Sequence, residues 1–170
     1  LVSPARGAYD GPVTVTIECL TSGASIRYTL GGDEPTPNVG FDYQGPLELN
    51  RSAVVRARVF RDGYIPSPVV TQTYLIELAE AMKTLPAISL VADEGRSFFE
   101  PHGVAAIVGG SWPVRPWVSG GPDDYNNCVI QGRVMERPIS AEYIRHDGAA
   151  GWQADVGVRI SGSPWSRPAY

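Results

Sequence analysis

The side chains able to do chemistry in this chain are few, and their spacing limits what they can do. Four tryptophans, Trp112, Trp117, Trp152 and Trp165, offer the flat apolar face that suits the CH side of a pyranose ring. Trp112 and Trp117 lie in a Gly- and Pro-rich stretch and are the candidates for carbohydrate binding. Trp152 and Trp165 flank strand-like residues and are expected in the core. Asp33, Glu34 and Asp42 share one polar stretch, and Asp123, Asp124, Asn126 and Asn127 share another. Both offer hard oxygen ligands of the kind Ca²⁺ takes. Neither has the regular ligand spacing of a calcium loop, so hydrated acidic turns are expected there, and calcium is not expected as a cofactor.

Other chemistries need partners that the sequence does not line up. Asp93, Glu94, Glu100, Asp123, Asp124, Glu136 and Glu142 could in principle supply the carboxylate pair of a glycosidase. That reaction also requires a deep cleft and a scaffold that a few short strands do not provide. His102 and His146 are the only imidazoles; they fall in different loops and are expected to be solvated. Neither Gly109-Gly110-Ser111 nor Gly120-Gly121-Pro122 leads into the Lys-Ser/Thr of a phosphate loop, and no Gly-x-Ser-x-Gly elbow exists. No catalytic residue and no resident cofactor are therefore expected. Cys19 and Cys128 are too far apart for a metal knuckle and too few for a disulfide scaffold. Cys19 continues the alternation of Val13, Val15 and Ile17, which predicts a buried thiol; a disulfide between Cys19 and Cys128 is the alternative.

The elements that must position these residues follow from composition and periodicity. At 170 residues the chain holds one domain or two small ones. A hydrophobic share of 43% with 19% charged residues is globular, which excludes intrinsic disorder. Gly 19 and Pro 15 favour short strands and turns over a helical bundle. The net charge is -4, and the basic residues are arginines apart from Lys83, with no dense cluster, so nucleic acid and anionic membrane are poor partners. No run reaches the ~18 apolar residues of a membrane helix, and an integral membrane protein is not expected. The first residues lack an initiator Met and the order of a signal peptide, so a processed or truncated start is expected.

Alternation marks strands at Val13–Leu20, Ser25–Leu30 and Ala53–Phe60, the last also β-branched; Leu47–Leu49 is a short strand and Val69–Ile76 completes the set. The stretch 33–45 reads as a loop with Tyr43 as an aromatic anchor. Residues 77–86 read as a linker with about two helical turns, stopped by Pro86. Beyond it, Ala87–Val91 and Val104–Val108 are strand-like, Asp93 is a candidate cap for a helical turn carrying Phe98 and Phe99, and 109–127 is a long irregular loop. Ile139–Arg145 and Gln153–Ile160 form a predicted hairpin around His146-Asp147-Gly148. The expected fold class is mainly β: a fibronectin/immunoglobulin-like sandwich over 1–76, the linker, then a small β-rich α+β unit over 87–170.

Two sets of residues carry family resemblances. Ile26-Arg27-Tyr28-Thr29-Leu30, Asp33-Glu34-Pro35-Thr36, Tyr43, Pro46-Leu47, Val55-Arg56-Ala57-Arg58, Gly63-Tyr64, Ser67 and Thr73-Tyr74 together resemble the β-sandwich module at the C-terminus of chitobiase and β-hexosaminidase, also found as fibronectin-type-III-associated repeats. The family's usual Asp-Gly-Ser before Glu-Pro-Thr is here Gly31-Gly32-Asp33. Such modules are typically noncatalytic companions of extracellular enzymes. Leu85-Pro86-Ala87-Ile88-Ser89-Leu90, Glu136 to Tyr143, Asp147-Gly148, and Gly157 to Gly162 with Ser166-Arg167 are similar to the opening of the CotH-type family, atypical secreted kinases of bacterial surfaces. In that family a Lys-rich strand and the nucleotide and metal site follow, and they are not among these residues.

These resemblances imply a bacterial secreted or cell-envelope module that presents or anchors rather than turns over substrate. They also imply that the chain is a fragment or a truncation. ATP and Mg would then belong to a longer parent kinase, of which this is the noncatalytic front. The expected partners are other protein subunits, a downstream domain or a polysaccharide, the last making the chain a carbohydrate-binding accessory. An exposed sheet edge near 153–160 would favour an assembly subunit.

Overall fold

The computed structural model describes residues 1–113, 117–130, 132–149 and 151–161. The expectations placed on Trp165, Gly162, Ser166 and Arg167 lie outside the described residues. The strands are β1 (Val2–Ser3), β2 (Gly7–Tyr9), β3 (Val13–Ile17), β4 (Ser25–Leu30), β5 (Phe41–Asp42), β6 (Leu47–Leu49), β7 (Ala53–Phe60), β8 (Val70–Ile76), β9 (Ala87–Val91), β10 (Ile107–Val108), β11 (Tyr125–Asn126), β12 (Arg137–Ile144) and β13 (Trp152–Val158). The fold is mainly β, as the alternation predicts. It resolves into two compact units: Leu1–Val91 with Ser140–Ala154, and Ala92–Ile139 with the described residues from Asp155 onward.

The first unit is built on a sandwich of a three-stranded sheet, β1-β3-β6, and a five-stranded sheet, β2-β8-β7-β4-β5. All pairings are antiparallel except β2 with β8. Val2, Val13, Val15, Ile17 and Leu49 from one sheet bury against Val55, Ala57, Tyr74 and Ile76 from the other. Full burial of aliphatic side chains such as Val15 and Val55 contributes roughly 1.5–3 kcal/mol each. Tyr43 is the anchor expected of it: its hydroxyl accepts the Ile17 N–H at 3.0 Å, and its ring meets Tyr28 edge-on. The same unit holds β9 paired antiparallel with Ser140–Ile144 of β12, in a sheet ordered β13-β12-β9.

In the second unit Asp93 caps a π-helical turn, Glu94–Phe98, through an Arg96 N–H to Asp93 Oδ1 bond of 2.7 Å. Val104, Ala106, Cys128, Met135 and Ile139 are buried there.

Several sequence expectations are corrected. The alternation that began at Val13 stops at Ile17, so Cys19 leaves the strand and is half-exposed rather than buried. Trp152 is 50% exposed and is not a core residue. The helical turns of 77–86 reduce to one 3-10 turn at Glu80–Met82, because Glu77 is held at φ 53 and interrupts the helical path. Val104–Val108 is a strand only at Ile107–Val108. Residues 109–127 are less irregular than expected: Val108 pairs with Tyr125, Ile107 with Asn126, and Ser111 bridges Val118. Short strands β1 and β2 in the first residues carry too little alternation to be read from sequence.

Candidate functional site

The acidic stretch at 33–42 serves the sheet. Arg27 and Arg58 are directly opposite each other on β4 and β7, and like charges at such a pair repel. The stretch supplies the counter-ions. Asp42 Oδ1 accepts from Arg27 Nη1 at 2.7 Å, and Glu34 Oε1 accepts from Arg58 Nη1 at 2.7 Å. The Gly40 carbonyl accepts from Arg27 Nη2 at 2.6 Å. Gly40 has φ +96, and a Cβ there would meet the Tyr28 carbonyl at 2.4 Å, so glycine is required. Of Asp33, it is the main-chain carbonyl that is used, accepting from Thr29 Oγ1 at 2.7 Å. The three acids proposed as calcium ligands are thus not drawn into one set. Among the described residues no three His, Cys, Asp or Glu side chains stand close enough to hold a metal.

Trp112 and Trp117 do come together, in the second unit. Their rings meet edge-to-face with centroids 6.5 Å apart, and both are half-buried. The pair is positioned by the Ser111–Val118 bridge, whose two backbone hydrogen bonds are each 2.9 Å, and by a Trp117 Nε1–H bond to the Gly109 carbonyl at 3.2 Å. Gly110 lies at φ +71, and a Cβ there would stand 2.3 Å from the Trp117 indole. Asp124 fastens the loop from below: Oδ2 accepts from Gly110 N at 2.8 Å and Gly120 N at 2.7 Å. Asn126 Oδ1 takes the Cys128 N–H, and Asn127 Nδ2 donates to the Gly103 carbonyl. Asp124 and Asn126 thus use side-chain oxygens to hold the local backbone, and what the loop presents is an aromatic pair.

The remaining candidates divide between the two units. His102 and His146 are exposed and belong to different units. Cys19 and Cys128 likewise fall in different units, with Cys128 buried. The Thr21 N–H donates to Cys19 Sγ at 3.3 Å and holds that thiol below its usual pKa. Trp152 stacks on Tyr143 with centroids 6.1 Å apart and planes 19° apart. Gly151 makes room for this, since a Cβ there would strike the Tyr143 carbonyl at 1.8 Å.

Glu142 is the one acid with an unexpected environment. Its side chain is fully buried in the first unit and takes Arg6 Nε at 2.7 Å, Thr73 N at 3.3 Å and the Thr73 hydroxyl. Ser89 Oγ lies 2.8 Å from Thr73 Oγ1 and completes the cluster. Every contact is internal to the fold, which makes Glu142 a structural charge. Sequence reading placed it among candidate acids; its partner Thr73 is 69 positions away, and nothing local announces the pairing.

Comparison with known proteins bears on the sandwich alone. Residues 4–71 match the family model described as chitobiase/beta-hexosaminidase C-terminal domain. This span takes in β2 to β7 and the start of β8, and it includes the resemblance residues from Ile26 to Ser67. No curated protein and no solved structure matches the chain.

Proposed function

We propose that this chain is a noncatalytic, carbohydrate-associated β module of an extracellular or cell-envelope protein. The observation that carries the reading is the match of residues 4–71 to the chitobiase/beta-hexosaminidase C-terminal model, falling on a sandwich whose acids serve as counter-ions. The buried Glu142, the candidate acid most removed from solvent, is committed to Arg6 and Thr73 and has no route to a substrate. The similarity of 85–90 and 136–143 to CotH-type proteins supports placing the module at the front of such a protein, with ATP and Mg chemistry in the parent. Reading the coding frame past Tyr170 tests that placement, which requires a Lys-rich strand there. No helix among the described residues is long and apolar enough to cross a membrane.

The Trp112–Trp117 pair favours a second contact for sugar, in the second unit, because two half-buried indoles held by Gly110 and Asp124 form an ordered apolar surface. The test of the main reading is retention of the whole chain on insoluble chitin and on cellulose, with ATP turnover measured on the same preparation. Retention on either matrix without ATP turnover is the expected result. An unbound fraction equal to that of an unrelated protein on both matrices removes the carbohydrate association, and ATP turnover removes the noncatalytic assignment.

A further inference from the structure

A cleft of about 410 Å³ opens on the sandwich where the end of β7 meets β4 and the 37–42 segment. It is within the usual size range for small-ligand sites. Its lining joins apolar plates to planar polar groups. Tyr64 is 62% exposed, and the Arg61 guanidinium lies over its ring at 4.5 Å, so the ring is braced by a cation while much of its surface meets solvent. Phe60, Pro37 and Pro66 add further apolar surface. The turn that presents Tyr64 is closed by a Tyr64 N–H to Arg61 carbonyl bond of 3.1 Å with Gly63 at φ 77, so the backbone that carries the ring is fixed.

The polar groups decide the class of ligand. Arg27 and Arg61 face the cleft along with Asp42 and Asp62, so the charges balance, which disfavours an acidic glycan or a phosphate. Arg27 is already held by Asp42 and the Gly40 carbonyl, and so stands as a fixed, preorganised donor plane. Asp62 is exposed and makes no ion pair with any described residue, leaving a carboxylate to accept hydroxyl or amide protons. A largely exposed aromatic ring beside a free carboxylate and a fixed guanidinium matches a pyranose: the ring's CH side stacks, and its hydroxyls or acetamide bond in the plane.

We propose that this cleft is a binding site for a neutral saccharide chain, with Tyr64 as the stacking platform and Asp62 and Arg27 as the polar contacts. The proposal rests on the carbohydrate-associated reading and adds the location and the neutral class of ligand. The test is titration of the full chain with cellohexaose and with the hexamer of N-acetylglucosamine, mapped by backbone amide chemical shifts. Shifts gathered at 25–27, 37–42 and 60–66, with Tyr64→Ala weakening Kd about tenfold for the lost ring contact, are expected. Tyr64 is exposed, so the variant should keep its melting temperature, and that measurement accompanies the titration. Shifts gathered at 109–118 instead, or an unchanged Kd in Tyr64→Ala, overturn the cleft and leave the carbohydrate association standing. No shifts with either hexasaccharide but retention on insoluble polysaccharide also overturns the cleft alone. Failure of both experiments removes the cleft and the association together.

Discussion

Glu142 shows what a single charge can do to a β fold. A buried carboxylate is tolerated only when its lone pairs are matched, and Arg6 with Thr73 matches them. Truncation to alanine leaves Arg6, whose side chain is 19% exposed, and the Thr73 donors without their acceptor. Glu142→Ala is therefore expected to lower unfolding stability by about 3–5 kcal/mol, the usual cost of removing one partner of a buried pair. Glu142→Gln keeps an acceptor for Thr73 and should lose less; urea titration of both variants checks the order. At Cys19 the expectation is kinetic. Half-exposed, with its thiolate favoured by the Thr21 N–H, it should react with a disulfide reagent in the native chain, whereas buried Cys128 should react only on unfolding. Equal rates for the two would refute the burial assignment. The alternation through Val13, Val15 and Ile17 predicted a buried Cys19 because periodicity does not report where a strand stops. Thr21, whose carbonyl closes a turn on Ala24 N, lies two residues past Cys19, and a threonine there carries no signal that ends a strand.

Elements were legible where side chains alternate and obscure where backbone or tertiary bonds replace alternation. β4 and β7 coincide with their predicted bounds because each puts apolar residues on one face and arginine at inner positions of the other. β10 and β11 have two residues each and are fixed by Asp124 and by glycines, so no period exists to read. Gly110→Ala tests the loop they support. The positive φ and the 2.3 Å approach to Trp117 should separate the indoles, seen as a loss of near-ultraviolet circular dichroism with the far-ultraviolet spectrum retained. The β12–β13 turn gives a prediction in pH. The Arg145 guanidinium bonds Asp147, and the Ala149 N–H adds a bond at 3.1 Å; together they hold that carboxyl well below the usual carboxylate range. A folded pKa lowered in this way means that the ion contributes fully above the ordinary aspartate value of about 3.9 and that the contribution is lost as pH falls through the depressed value. In a carboxyl-carbon NMR titration Asp147 should stay ionised below the ordinary aspartate value, and Asp147→Asn should flatten the acid side of the stability curve. Protonation of Asp147 at the ordinary aspartate value would contradict the bonded geometry.

At the scale of the molecule, composition and the strand series made the β class readable, and the residues of 26–74 made the sandwich family readable. What no local signal announces is that strands from after residue 86 belong to the same compact unit as the sandwich. Residues 87–91 and 140–144 pair with each other, and they bring Ser89 and Glu142 to Thr73 on β8. Thr71 and Thr73 have 1% and 4% exposure, although alternation places them on the sheet face turned away from the sandwich core, so something must cover that face. A chain cut after Val91 lacks Glu142 altogether. It should expose Thr71 and Thr73, leave Arg6 without its carboxylate, and unfold at a lower urea midpoint than the whole chain, with faster amide exchange along β8. If Glu142 is the main link, Glu142→Ala in the whole chain should reproduce most of the exchange increase at Thr73 while β3 and β6, in the other sheet of the sandwich, keep their protection. Equal midpoints for the fragment and the whole chain would show that the sandwich draws no stability from the later strands, and the buried ion pair would then be a consequence of their packing without a role in holding them.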